Sequence, residues 1–314
     1  MESYLLYLDS ISADKETSPP DISFEKFLAH LTHFQNKFSI SPWALSNFLE
    51  CPSRFYYRNI LKRDSAKSAH TEFGQAFHHA AELAFAEALK KPGRELPATN
   101  FFLGFFDKKM QEAKGLFEPE LYDQKLRQGY DAFEKWYEQQ QVAATRKLII
   151  PEKNISNVVV NNMRLRGKID RLEFDGNRVT VIDYKTGNYN NDVRHLSPPS
   201  EENPNGGYYW RQGIFYSLLI DHYPAKKWKT EQVFFEYVMP TEEGRVIRHE
   251  IHPDEASKET VKQQMKQLWD RLHSFELPTK CDNPQCRYCQ LATADLVLQQ
   301  HLPKIKMSRG LRLF

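Results

Sequence analysis

The segment from Leu165 to Tyr184 limits the fold more than any other part of the chain. Leu165 to Phe174 and Val179 to Tyr184 are rich in Leu, Ile, Val and Phe and read as strands. Asp175-Gly176 between them is a tight-turn signal, so the two runs should pair as an antiparallel hairpin. Side chains alternate along a strand, so Asp183 and Lys185 face the same way. A turn at Asp175-Gly176 roughly pairs Asp170 with the region of Asp183. Two carboxylates and one ammonium then converge on one side of a sheet, with Ile169, Leu172, Val181 and Ile182 keeping it rigid.

Such a grouping suits phosphodiester hydrolysis. Carboxylate oxygens are the preferred hard ligands of Mg²⁺ and Mn²⁺. The ion polarises a phosphate and lowers the pKa of bound water. A neighbouring lysine can orient that water and stabilise the developing charge. An isolated Asp-x-Lys, however, is usually a solvated strand face, so its neighbours must decide.

Helices dominate the earlier chain. Ser41 and Pro42 form a helix start that leads through Phe48 to Cys51-Pro52. Glu72 to Leu89 carries Phe73, Phe77, Ala80 and Ala84 at helical spacing. Further helices are expected near Phe101 to Lys114 and Pro119 to Gln141. Strands are expected at Leu148–Ile150 and Val158–Val160. A polar loop over 186–206, rich in Asn, Pro and Gly, precedes a helix over Gly207–Ile220. Strands at Gln232–Met239 and Val246–Ile251 and an amphipathic helix over Glu255–Phe275 complete the series. The order predicts a mixed α/β protein.

The boundaries expected are an arm or remnant of a larger protein over 1–38, a domain over 39–290 and a basic tail over 291–314. Within the domain, 39–145 is helical, 146–252 is the sheet core, and 253–290 is a helix with a cysteine loop. The tail carries Lys304, Lys306, Arg309 and Arg312. With 43 Lys and Arg against 41 Asp and Glu, net charge does not announce a nucleic-acid binder. No apolar run approaches membrane-spanning length, and the first residues do not resemble a signal peptide. A cytoplasmic location is expected. The chain has four cysteines, Cys51, Cys281, Cys286 and Cys289, and the clustering of the last three favours metal ligation over disulfides.

Gly167-Lys168-Ile169-Asp170-Arg171, followed by Ile182-Asp183-Tyr184-Lys185-Thr186-Gly187, resembles the core of the PD-(D/E)XK nuclease superfamily in its RecB-like branch. Gly74-Gln75-Ala76-Phe77-His78 resembles the upstream helix motif, and Gln212 with Tyr216 the motif after the hairpin. Ser41-Pro42 through Cys51 to Tyr57 is similar to the opening of members with an iron–sulfur cluster, such as AddB-type nuclease domains and CRISPR-adaptation exonucleases. The resemblance implies a restriction-endonuclease-like core, a mixed central sheet flanked by helices with an N-terminal helical part. It implies His78, Asp170 and Asp183 as side-chain ligands of Mg²⁺ or Mn²⁺, and the Tyr184 carbonyl as a further ligand. Lys185 would act on the attacking water, Gln212 would help position Lys185 or the DNA backbone, and Tyr216 would support it or contact DNA; Glu82 is a candidate outer neighbour.

The resemblance also implies that the four cysteines hold a [4Fe–4S] cluster. Cys281-x4-Cys286-x2-Cys289 departs from the family's usual order, and its spacing equally matches a [2Fe–2S] loop or a Zn²⁺ site.

Basic and aromatic residues mix around Arg54 and Tyr57, and again at Tyr208, Tyr209, Trp210 and Arg211, the mixture that single strands require. Arg54, Tyr57, Arg211 and Tyr216 are the candidate DNA contacts, with buried packing as the alternative. The function expected is a metal-dependent DNA exonuclease acting on single strands or duplex ends in repair or recombination. The rivals are a non-catalytic DNA-binding scaffold and an RNA-directed nuclease of the same fold. No Gly-x4-Gly-Lys-Ser/Thr motif occurs, so unwinding would require a helicase or ATPase partner.

Overall fold

A computed structural model describes residues 32–62, 67–241, 243, 245–274 and 280–292, with the backbone alone over 141–146. Most of the arm over 1–38, and Lys304, Lys306, Arg309 and Arg312 of the tail, lie outside the described residues. After a helical segment over 32–37 come α1 (Pro42–Glu50), α2 (Pro52–Phe55), a π-turn (Tyr56–Ile60), α3 (Ala69–Ala88), α4 (Thr99–Ala113) and α5 (Pro119–Arg146). The chain continues as β1 (Leu148–Val160), β2 (Met163–Asp175), β3 (Arg178–Lys185), α6 (Tyr189–Leu196), α7 (Tyr208–Asp221), β4 (Lys229–Tyr237), β5 (Ile247–Ile251) and α8 (Glu255–His273).

The chain divides into two compact units. One comprises Ala66–Val160 and Leu165–Val261; the other comprises Met1–Ser65, Asn161–Arg164 and Lys262–Phe314. In the first, the strands form one sheet in the order β1-β2-β3-β4-β5. β2 and β3 are antiparallel, with Arg171 opposite Ile182 and Asp175 opposite Arg178. β3 and β4 are parallel, and β4 and β5 antiparallel. Gly176 makes the hairpin turn with φ of 63°, a conformation that glycine adopts without a Cβ penalty.

Helix α3 starts on Ser68, whose side chain accepts from the Thr71 amide (3.3 Å). Its buried face is Phe73, Ala76, Phe77, Ala80, Ala81, Ala84, Phe85 and Ala88. The alanines allow close approach, while Phe77 fills the core against Phe133, Trp136 and Tyr184, with ring centroids 4.6, 4.8 and 5.5 Å away. α7 covers the opposite face of the sheet. A Cβ on Gly167 of β2 would lie 2.6 Å from Leu219 Cδ1, which shows how closely strand and helix approach there.

In the second unit, Ser41 caps α1 by accepting from the Ala44 amide (3.2 Å). Phe38, Phe48 and Phe55 pack edge to face beneath it. The Ile40 amide donates to the Arg164 carbonyl (2.8 Å), and Arg164 caps the Gln35 and Phe38 carbonyls.

Two elements differ from the sequence reading. The strands expected at Leu148–Ile150 and Val158–Val160 are the two ends of one strand, β1. Glu152 and Asn157 within it adopt positive φ (47° and 59°), which breaks the alternation that marks a strand. The expected loop over 186–206 contains α6. Its sequence is mostly polar, but the Asn188 side chain accepts from the Asn190 amide (2.8 Å), Asp192 lies in its first turn and Arg194 in its last.

The helix-covered core contains a buried polar network. Arg171, fully buried, pairs with Glu173 and donates to Gln140 Oε1 (2.6 Å). Trp136 Nε1 donates to Glu236 (2.6 Å), which also pairs with Arg248. Arg171→Ala would leave Glu173 with only Lys147, 3.0 Å away. Removing one member of a buried pair typically costs 3–5 kcal/mol. With Lys147 retained, a loss of about 3 kcal/mol in urea unfolding is expected.

Candidate active site and cysteine centre

Two groups of polar side chains meet on the first unit's sheet. Strand β3 supplies the first. Alternation sends Asp183 and Lys185 to the α7 side and Tyr184 into the core, where 3% of it is exposed. Lys185 Nζ lies 2.5 Å from Asp183 Oδ2. From α7, Gln212 Nε2 donates to Asp183 Oδ1 (2.8 Å), and Gln212 Oε1 accepts from Lys185 Nζ (3.3 Å). The Tyr216 hydroxyl accepts from Gln212 Nε2 (2.7 Å). Its one proton is shared between Asp183 Oδ1 (3.0 Å) and the Lys168 carbonyl (3.1 Å). Gln212 and Tyr216 are one helical turn apart and therefore reach the same carboxylate.

The second group joins α3 to the β1–β2 side. His78 Nδ1 lies 3.3 Å from Asp170 Oδ2, which also accepts the Tyr184 amide (2.8 Å). Extending the hairpin register one step past Arg171–Ile182 puts Asp170 opposite Asp183. Glu152 lies 4.0 Å from His78 Nδ1 and pairs with Lys168. One ligand atom each from His78, Glu152 and Asp170 lie within 4.8 Å of one another. Asp183 stands outside that trio because Lys185, Gln212 and Tyr216 hold its carboxylate. His79 turns instead toward Phe105 (6.3 Å between centroids), and Glu82 lines the adjoining cleft.

The pKa values of the two aspartates are shifted in opposite directions. Burial pushes Asp183 up, and nearby Asp170 adds to this against the pull of Lys185. Burial also opposes the charge on Asp170, but His78 and the Tyr184 amide overcome it and the pKa falls. Burial likewise disfavours the His78 cation, yet the Asp170 carboxylate raises its pKa. Burial, reinforced by Asp170, raises Glu152 despite Lys168. This donor set of buried carboxylates and one imidazole fits a hard divalent cation, whose charge would relieve the crowding of acids.

Two clefts meet here, of about 650 and 470 Å³. They share Gln75, His78, Lys168 and Asp170, so a chain-like ligand could pass the site. Glu152 escaped the sequence reading because it stands in an irregular part of β1, and only its positive φ turns it toward His78.

The candidate DNA contacts are mostly enclosed. Tyr57 is 1% exposed and packs against Tyr56 and Tyr288; Arg54 pairs with Glu50. Arg211 is 5% exposed, and burial pulls its pKa down to about 10. Tyr216 is 3% exposed, its hydroxyl committed to Asp183 and Lys168.

The four cysteines converge in the second unit. Cys51 and Cys289 sulfurs are 3.5 Å apart, Cys281 and Cys289 3.6 Å, and Cys286 and Cys51 3.7 Å. None is in a disulfide. Cys51 ends α1, while the other three come from the segment over 280–292. A shared metal group would thus tie chain segments more than 200 residues apart. The set is compatible with an iron–sulfur site.

The sequence profile of the PD-(D/E)XK nuclease superfamily matches residues 39–294, and the chain belongs to that superfamily. The structure is similar to that of a candidate exonuclease from Eubacterium rectale, with a TM-score of 0.51 at 10% identity, covering 93% of this chain and 97% of that one. That likeness establishes the restriction-endonuclease-like fold. A second structure, SSO0001, aligns with a TM-score of 0.32 at 14% identity over 87% of this chain and 96% of that one, too low to add to the argument. No curated protein matches the chain.

Glu152→Gln preserves shape but removes a charge beside His78 and Asp170. Mn²⁺ affinity, measured by titration calorimetry, is expected to fall about 10- to 100-fold.

Proposed function

We propose that the protein is a metal-dependent deoxyribonuclease, an exonuclease acting on single-stranded DNA or DNA ends in repair or recombination. The observation that carries this reading is the meeting of the Asp170–His78 pair with the Asp183–Lys185 pair at the junction of two clefts. His78, Asp170 and Asp183, with the Tyr184 carbonyl, would hold Mg²⁺ or Mn²⁺. The bound ion would act as a Lewis acid toward phosphate and water. Lys185 orients the attacking water and offsets negative charge at the phosphate. Gln212 holds Lys185 and Asp183 in one register, and Tyr216 anchors Asp183 to the backbone of β2.

The domain reading of an arm, a nuclease domain and a basic tail belongs to this proposal, as does an ATPase partner where the substrate must be unwound. Among the described residues, no helix is long and apolar enough to cross a membrane.

We further propose that the four thiolates hold a [4Fe–4S] cluster that staples the two ends of the domain. The sulfur separations of 3.5–3.7 Å favour a second reading, one tetrahedral ion such as Zn²⁺. Anaerobically purified protein should contain iron and inorganic sulfide with a broad visible absorbance; zinc alone would select the second reading.

The nuclease reading is tested with end-labelled single- and double-stranded DNA in Mg²⁺, Mn²⁺ or chelator. Asp183→Ala and Lys185→Ala are each expected to reduce cleavage at least 100-fold, the scale seen when a group that stabilises transition-state charge is removed. Persistence of cleavage in either variant would overturn the assignment.

A further inference from the structure

Lys185 opens onto a series of rings. Its Nζ lies 4.0 Å from the centre of Tyr209, whose ring is 4.2 Å from that of Tyr208. Tyr208 in turn lies 4.2 Å from His195, tilted by 37°. Trp210 and Arg211 beside them are buried, but Tyr208 is 37% exposed. His195 and Tyr208 come from different helices, α6 and α7, and the two ends of the segment between them, 197–207, are bonded to each other. The Gly207 amide donates to the Ser197 carbonyl (2.9 Å), and a Cβ on Gly207 would lie 2.1 Å from the His195 carbonyl oxygen. Only glycine permits that backbone approach, so the ring pair is fixed before any ligand arrives.

Charge completes the surface. Arg194 donates from Nε to His195 Nε2 (3.4 Å) and has no carboxylate partner among the described residues. Burial, with Arg194 adding to it, lowers the His195 pKa. A partly exposed aromatic ring beside a guanidinium that has no carboxylate partner among the described residues is the combination that binds single-stranded nucleic acid.

We propose that Tyr208, backed by His195, is a stacking platform for an unpaired base of a DNA strand whose phosphate lies at Lys185, with Arg194 contacting a neighbouring phosphate. This rests on the nuclease reading and deepens it. The site would select single strands or frayed ends, because bases inside a duplex already stack on each other and cannot turn onto the ring.

The test measures binding of a fluorescent single-stranded oligonucleotide in chelator, where cleavage does not interfere. Tyr208→Ala is expected to weaken binding roughly five- to hundredfold, the range for loss of one base–aromatic stack, while Tyr208→Phe binds as wild type. An abasic oligomer of equal length should bind wild type and Tyr208→Ala equally, because it has no base to stack. Affinity for blunt duplex should be unchanged, and thermal melting should show both variants folded. Equal binding of the intact oligonucleotide by Tyr208→Ala and wild type would overturn the platform and leave the nuclease reading standing. A similar loss on the abasic oligomer would show a structural role and also overturn it. Wild type that neither binds nor cuts DNA would overturn both.

Discussion

Strand β3 has opposite duties on alternate residues, and the site depends on both being met. Tyr184 is buried among Phe77, Trp136 and the Arg171 network, while Asp183 and Lys185 on either side face α7. A slip of one residue would exchange these faces. Arg171 opposes that slip because it lies on β2 opposite Ile182 and reaches across toward the Tyr184 hydroxyl (3.5 Å). The Tyr184 amide, held by Asp170, fixes the strand's end from the other side. The same few bonds therefore set both the register of the hairpin and the position of its acids.

Electrostatics then divides the site into two halves. Asp170 is stabilised as an anion by His78 and a backbone amide, whereas Asp183 is crowded by burial and by Asp170. Lys185 and Gln212 absorb that strain through direct contacts. Glu152 adds a further acid beside His78, at the cost of a left-handed backbone that most residues avoid. Concentrating so many carboxylates in one place is unfavourable without a cation, which is the physical reason to associate the arrangement with divalent metal chemistry.

The cysteine centre makes a different kind of contribution. Segments at opposite ends of the sequence have little local reason to meet, and closing so long a loop is entropically costly. Bonds from Cys51, Cys281, Cys286 and Cys289 to one metal group would offset that cost in the second unit.

The sequence determined the hairpin and the chemistry it carries. The Asp175-Gly176 turn and the apolar runs on either side of it fix which side chains of β2 and β3 share a face, a local property of the hairpin. Helical spacing similarly determined that Gln212 and Tyr216 act together. What depends on distant packing was not legible. Glu152 approaches His78 through a kink that no pattern marks, Tyr57 is enclosed against Tyr288, remote in sequence, and Arg211 is buried. Helix α6 is polar enough to read as loop, yet it brings His195 against Tyr208. Sequence periodicity reports the face on which a side chain lies, but only the tertiary structure decides what covers that face. For this chain, that decided which aromatic residue beside Lys185 remained open to solvent.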